Sequence, residues 1–136
     1  MVHHRLDQYD PCRVRDAAAI PRSIVAVGAS STSERWEHIP HHHQHGQLIY
    51  TLRGVVHCVI EAGIWIVPPQ CALWIPGGVT HAARGAGEAD VYCLLISPDA
   101  ASALPRQCCT LSVSPLLHEL IGKAVSFPQL YDEDGA

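Results

Sequence analysis

The spacing His41-x-His43-x3-Gln47-x6-Gly54, answered by Pro76-x-Gly78-x2-His81, limits this 136-residue chain more than any other feature. Alternate side chains of an extended strand share a face, so His41, His43 and Gln47 point one way, and by the same parity so does His45. His81 follows a Pro/Gly turn, from which a second strand can return it against the first. Three imidazoles and an amide oxygen meeting inside a β-barrel make a pocket for a divalent transition metal, since imidazole suits zinc, nickel and iron. The candidate metal ligands are therefore His41, His43, Gln47 and His81. The other reading of the same residues is a polar cavity that hydrogen-bonds an organic effector. His42 faces outward, and His45 stays a reserve ligand because a bulge near Gly46 can turn it out. Trp36 and Tyr50, close to the histidines in sequence, are further pocket candidates, whereas Trp65 and Trp74 fit the core of a small barrel.

The rest of the chain reads as all-β. Ten prolines and ten glycines punctuate short apolar runs, and 48% hydrophobic with 16% charged residues is a globular composition. Strand patterns cover 23–28, 36–45, 47–52, 55–60, 64–67, 72–75 and 90–97, with loops at 29–35 and 83–89. Pro40 marks an edge or a bulge, and Arg53-Gly54 and Ala62-Gly63 are turn signals. This is the pattern of a jelly-roll barrel of about eight strands. Residues 99–104 form one helical turn before Pro105. From Ser114 the period becomes helical, with Ser114 as N-cap, Pro115 in the first turn, and Leu116, Leu117, Leu120, Ile121 and Ala124 along one stripe. That stripe docks on its own barrel or pairs with a second copy in a homodimer. The chain divides into an N-terminal arm (1–20), a barrel (21–112), and a helix with the start of a linker (113–136).

Several function classes drop out. The formal net charge is −4 and the lysines and arginines form no cluster, so this piece lacks the positive face that phosphate contact needs. No apolar run approaches membrane-spanning length, and Met1-Val2-His3-His4-Arg5 is not the start of a signal peptide. Six cysteines without C-x-x-C spacing read as reduced thiols of a cytoplasmic protein. The motifs of serine hydrolases, phosphate-binding loops and zincins are missing.

The histidine spacing resembles the two signature motifs of the cupin superfamily, with Gln47 where the first motif carries Glu. Arg35, Gln70 and Gly85 depart from the pattern at other positions. A longer match resembles the N-terminal sensor domain of AraC-type transcriptional regulators. It includes Gln47-Leu48-Ile49-Tyr50, Trp65-Ile66-Val67-Pro68-Pro69, Trp74-Ile75-Pro76-Gly77-Gly78-Val79-Thr80-His81, and Val113 to Ile121. The resemblance implies a cupin double-stranded β-helix with a short C-terminal helix. It also implies a small-molecule or metal effector in the barrel, a homodimer, and DNA contact only through a helix-turn-helix domain absent from this chain. The alternative is a stand-alone metal-dependent cupin enzyme of the dioxygenase or isomerase class.

Overall fold

The computed structural model describes residues 3–5, 19–31 and 35–135. Among the described residues, ten strands and one helix follow in order: β1 (His3–Arg5), β2 (Ile24–Ser31), β3 (Arg35–His41), β4 (Gly46–Arg53), β5 (Val56–Ile60), β6 (Gly63–Val67), β7 (Cys71–Ile75), β8 (His81–Ala86), β9 (Ala89–Ile96), β10 (Cys109–Ser112) and α1 (Pro115–Ser126). They form a six-stranded sheet, β1-β2-β9-β4-β7-β10, and a four-stranded sheet, β3-β8-β5-β6. Every pairing is antiparallel except β1 with β2. Of the expected arm, residues 1–2 and 6–18 lie outside the described residues.

Strand alternation sorts the six-stranded sheet into two buried faces. Val25, Val27, Ile49, Leu73, Ile75, Val91 and Leu95 turn inward and meet Val56, Cys58 and Val67 of the smaller sheet. Leu48, Tyr50, Ala72, Trp74 and Ile96 turn outward and receive Ile121 and Val125 of α1. Cα partners Gln47↔Ile75 and Gln47↔Leu95 put Gln47 in the inward set, three strands deep in apolar surroundings.

Composition hid two strands. The run 83–89 was expected as a loop, because Ala, Gly and Arg are poor strand formers; instead most of it belongs to β8 or β9. β8 is paired on both sides, to β3 and to β5, and those ladder bonds override weak propensity. β10, which pairs with β7, was likewise not expected. The expected strand 36–45 stops at His41, after a register shift between His38 and His41 that brackets Pro40. Residues 29–31, expected as loop, continue β2.

The helix begins where its cap residue places it: Ser114 is extended and its side chain accepts the Leu117 N–H at 3.2 Å. It runs past Gly122 to Ser126, and its apolar stripe divides. Leu117, Ile121 and Val125 pack on the sheet, while Leu116 and Leu120 remain 70% and 58% exposed. The following segment returns to the barrel: Arg22 Nε donates to the Tyr131 carbonyl at 2.8 Å and Tyr131 Oη donates to the Ile24 carbonyl at 3.1 Å. No helix among the described residues is long and apolar enough to cross a membrane.

Candidate metal centre

His41 ends β3 and His81 begins β8, and the two are Cα partners. Their ring centroids lie 4.4 Å apart. His43 stands in the connection from β3 to β4, with its ring 5.3 Å from His81 and 5.8 Å from His41. One ring nitrogen from each of the three falls within 4.8 Å of the others, spacing that allows all three to hold one metal ion. Backbone contacts fix that connection. Gly78 N–H donates to the His43 carbonyl at 2.8 Å, joining it to the turn before His81. Gly77 lies so close to the Gln44 carbonyl that a Cβ there would collide with it. A side chain at 77 would therefore push His43 away from His81.

Hydrogen bonds determine the tautomers. The Nδ1 atoms of His41, His43 and His81 lie 2.9, 2.7 and 2.9 Å from the carbonyls of Ile39, His45 and Val79. A carbonyl can only accept, so each Nδ1 carries the proton and each Nε2 presents a lone pair. Gln47 Oε1, also an acceptor, sits 3.2 Å from His43 Nε2 and 3.1 Å from His81 Nε2. Acceptors thus converge with no proton to share, an arrangement a cation would relieve. His41, Gln47 and His81 are buried and His43 is half-buried. Burial pushes the His81 imidazole down to about 4, helped by its neighbours His41 and His43 and opposed by the bond to Val79. The residues fit a metal by donor type, tautomer and spacing. They contribute no negative charge, so a divalent ion would keep its full charge there.

Other candidates lie elsewhere. Leaving the ladder after His41 swings His45 into a groove with Ile20, Arg22, Ser97 and Glu133; only its carbonyl serves the cluster, by holding His43. Tyr50 is on the outward face of β4, three residues and hence opposite in parity from Gln47, with its hydroxyl 2.7 Å from His118 Nδ1 on α1. Trp74 is outward too and donates Nε1–H to the Pro105 carbonyl, whereas Trp65 packs against the inner core. The Trp36 side chain lies outside the described residues. Burial pushes the thiol of Cys93, an inner-core residue of β9, up to about 11.

The barrel and its cluster define a cupin-type ligand-binding domain. Residues 24–132 match the AraC-like ligand binding domain. The chain belongs to the AraC-like ligand-binding domain family. It is 40% identical over 122 residues, 89% of its length, to the HTH-type transcriptional regulator NimR of Escherichia coli (strain K12), and spans 42% of that relative. Among solved structures, an RmlC-like cupin from Shewanella frigidimarina NCIMB 400 matches with a TM-score of 0.50 and 20% identity, over 54% of this chain and 66% of that one. A Bacillus subtilis oxalate decarboxylase described with Mn(II) centres matches with a TM-score of 0.50 and 16% identity, over 81% of this chain and 30% of that one. These two likenesses concern the fold.

Proposed function

We propose that this domain is the effector-sensing and dimerisation part of an AraC-type regulator. Its effector is a divalent transition metal taken up at His41, His43, Gln47 and His81. DNA contact belongs to a helix-turn-helix domain outside this chain, and the domain is a sensor rather than an enzyme. The observation that carries the metal reading is the meeting of imidazole lone pairs with the Gln47 oxygen, both acceptors. When bound, the ion supplies a fixed positive charge for those donors. The chain contributes the rest: backbone carbonyls orient each ring, and burial keeps His81 neutral. β4 carries Gln47 on one face and Tyr50, bonded to His118 of α1, on the other. A shift of β4 on occupancy would therefore reach the helix, and the ion can bias an attached domain only by binding one arrangement more tightly. The exposed Leu116 and Leu120 form the face for a second copy.

Titration of chelator-stripped protein with zinc by calorimetry tests the site. His81→Ala abolishes binding, and Gln47→Glu, by restoring a negative ligand, tightens it by about tenfold or more. Unchanged affinity in His81→Ala would put the metal elsewhere and hand the barrel to an organic effector.

A further inference from the structure

We propose that residues 127–135 form a strap, latched to the barrel by Arg22, whose closure steadies the connection that carries His43. The strap leaves α1 after Ser126 and adopts neither helix nor strand. It crosses a cavity of about 230 Å³ walled by Ile24, Ala26, Ala124, Phe127, Pro128 and Tyr131, so apolar contact alone seats it poorly. Among the described residues, both hydrogen bonds from the strap to the barrel involve Tyr131. Its carbonyl accepts the Arg22 Nε–H at 2.8 Å, and its hydroxyl donates to the Ile24 carbonyl at 3.1 Å. Arg22 adds two further contacts. Its guanidinium carbon stands 5.4 Å from the centre of the Tyr131 ring, and Nη1 lies 3.5 Å from Glu133 Oε1. The Glu133 side chain is 57% exposed against 18% for Arg22, so solvent screens the ion pair. The charged hydrogen bond and the ring contact carry the latch.

The latch stands beside the histidine cluster. Ile96 pairs with Ile24 on one side and Gly46 on the other, so the first residues of β2 and β4 flank the last of β9. The Ser97 N–H extends that row by donating to the Ser23 carbonyl at 2.9 Å. Arg22 and His45 lie just beyond it, and both line one groove with Ser97 and Glu133. The strap thus supplies a wall of the groove that receives His45, while the His45 carbonyl orients the His43 ring at 2.7 Å. Opening the strap removes that wall, frees residues 42–46 and loosens the aim of His43 Nε2. Linkage runs both ways: a ligand that needs His43 fixed also favours the closed strap.

The consequence for binding rests on the metal reading above, but the latch and its reach to His43 belong to the metal-free chain and can be measured alone. In metal-free protein, chymotrypsin should cut after Tyr131 about tenfold faster in Arg22→Ala than in wild type, since cleavage follows the open population. Arg22→Lys, which keeps the charge but loses the Nε donor and the planar ring contact, should open the strap nearly as far, and Glu133→Gln should stay near wild type. Tyr131→Phe, which removes only the bond to Ile24, should give a smaller rise. The His43 and His45 ring resonances should move in Arg22→Ala while the amide resonances of β5 and β6 hold still, showing an intact barrel. Zinc should slow the cut in wild type, and Arg22→Ala should weaken zinc binding. Wild-type cleavage in both Arg22→Ala and Tyr131→Phe would overturn the latch. Faster cleavage with unmoved His43 and His45 resonances, or bound zinc that leaves cleavage unchanged, would overturn its reach to the cluster. If wild-type protein binds no zinc, the metal reading fails, and cleavage and resonances alone decide the proposal.

Discussion

On its inner face the six-stranded sheet buries aliphatic side chains and thiols, with the polar cluster at one end. On its outer face the same strands bury Tyr50 and Trp74 beneath α1. The Nδ1 atoms of the clustered histidines and the polar atoms of the outer aromatics find partners at different distances along the chain. The inner histidines bond carbonyls two residues away, so each is oriented by its own turn. The outer aromatics reach segments far along the chain: Trp74 bonds Pro105 and Tyr50 bonds His118. The imidazole rings are thus oriented by their own turns, whereas the outer aromatics hold later segments to the barrel. One face is a fixed frame and the other a detachable joint.

The sharpest way to break this distinction is to cut one side chain from each face. Leu73→Ala, at a fully buried inner position, should cost about 2–5 kcal/mol in urea unfolding and lower protection throughout the barrel. Ile121→Ala should instead loosen α1 locally, so that hydrogen exchange rises at helix amides while β4 and β9 stay protected. Equal loss of protection in strands and helix would make them one cooperative unit.

Acid sharpens the same contrast from the inner side. In metal-stripped protein His81 titrates near 4 folded, against an ordinary 6.5. The unfolded chain binds the proton more readily between those values, so stability is retained above 6.5 and lost as pH falls toward 4. The loss is on the order of 3 kcal/mol. Urea midpoints measured across that range should fall more steeply in wild type than in His81→Ala; parallel profiles would reject the assignment. The smallest effect on stability belongs to the outermost surface. Leu120→Glu, more than half exposed, should change unfolding by about 0.5 kcal/mol or less. Sedimentation should nevertheless move from dimer to monomer, and an unchanged dimer would remove Leu116 and Leu120 from the interface.

Much of this arrangement was legible in the sequence. The two histidine motifs named the cluster that the structure brings together, and Ser114-Pro115 marked the helix start. Parity alone opposed Tyr50 to Gln47, a signal present in the spacing but not used. What stayed hidden depends on long-range pairing. His45 turns out because the chain leaves its ladder early, and β8 exists because β3 and β5 flank it. Val125 is among the most buried side chains because the packed row runs Leu117, Ile121, Val125 at four-residue steps, rotated from the stripe that the apolar pattern suggests.

The neutrality of the donor set has a consequence at the scale of the whole domain. A carboxylate in place of Gln47 would cancel part of a divalent ion's charge at the moment of seating. Here both positive charges would pass undiminished to a chain of formal net charge −4 and halve it. Long-range repulsion between two copies scales with the product of their charges, so loading both would reduce it about fourfold. Salt mutes that field beyond roughly 8 Å, which confines the gain to copies nearly in contact. An ion buried in the barrel would then be felt at the outer surface as a lower barrier to association, with no strand having moved.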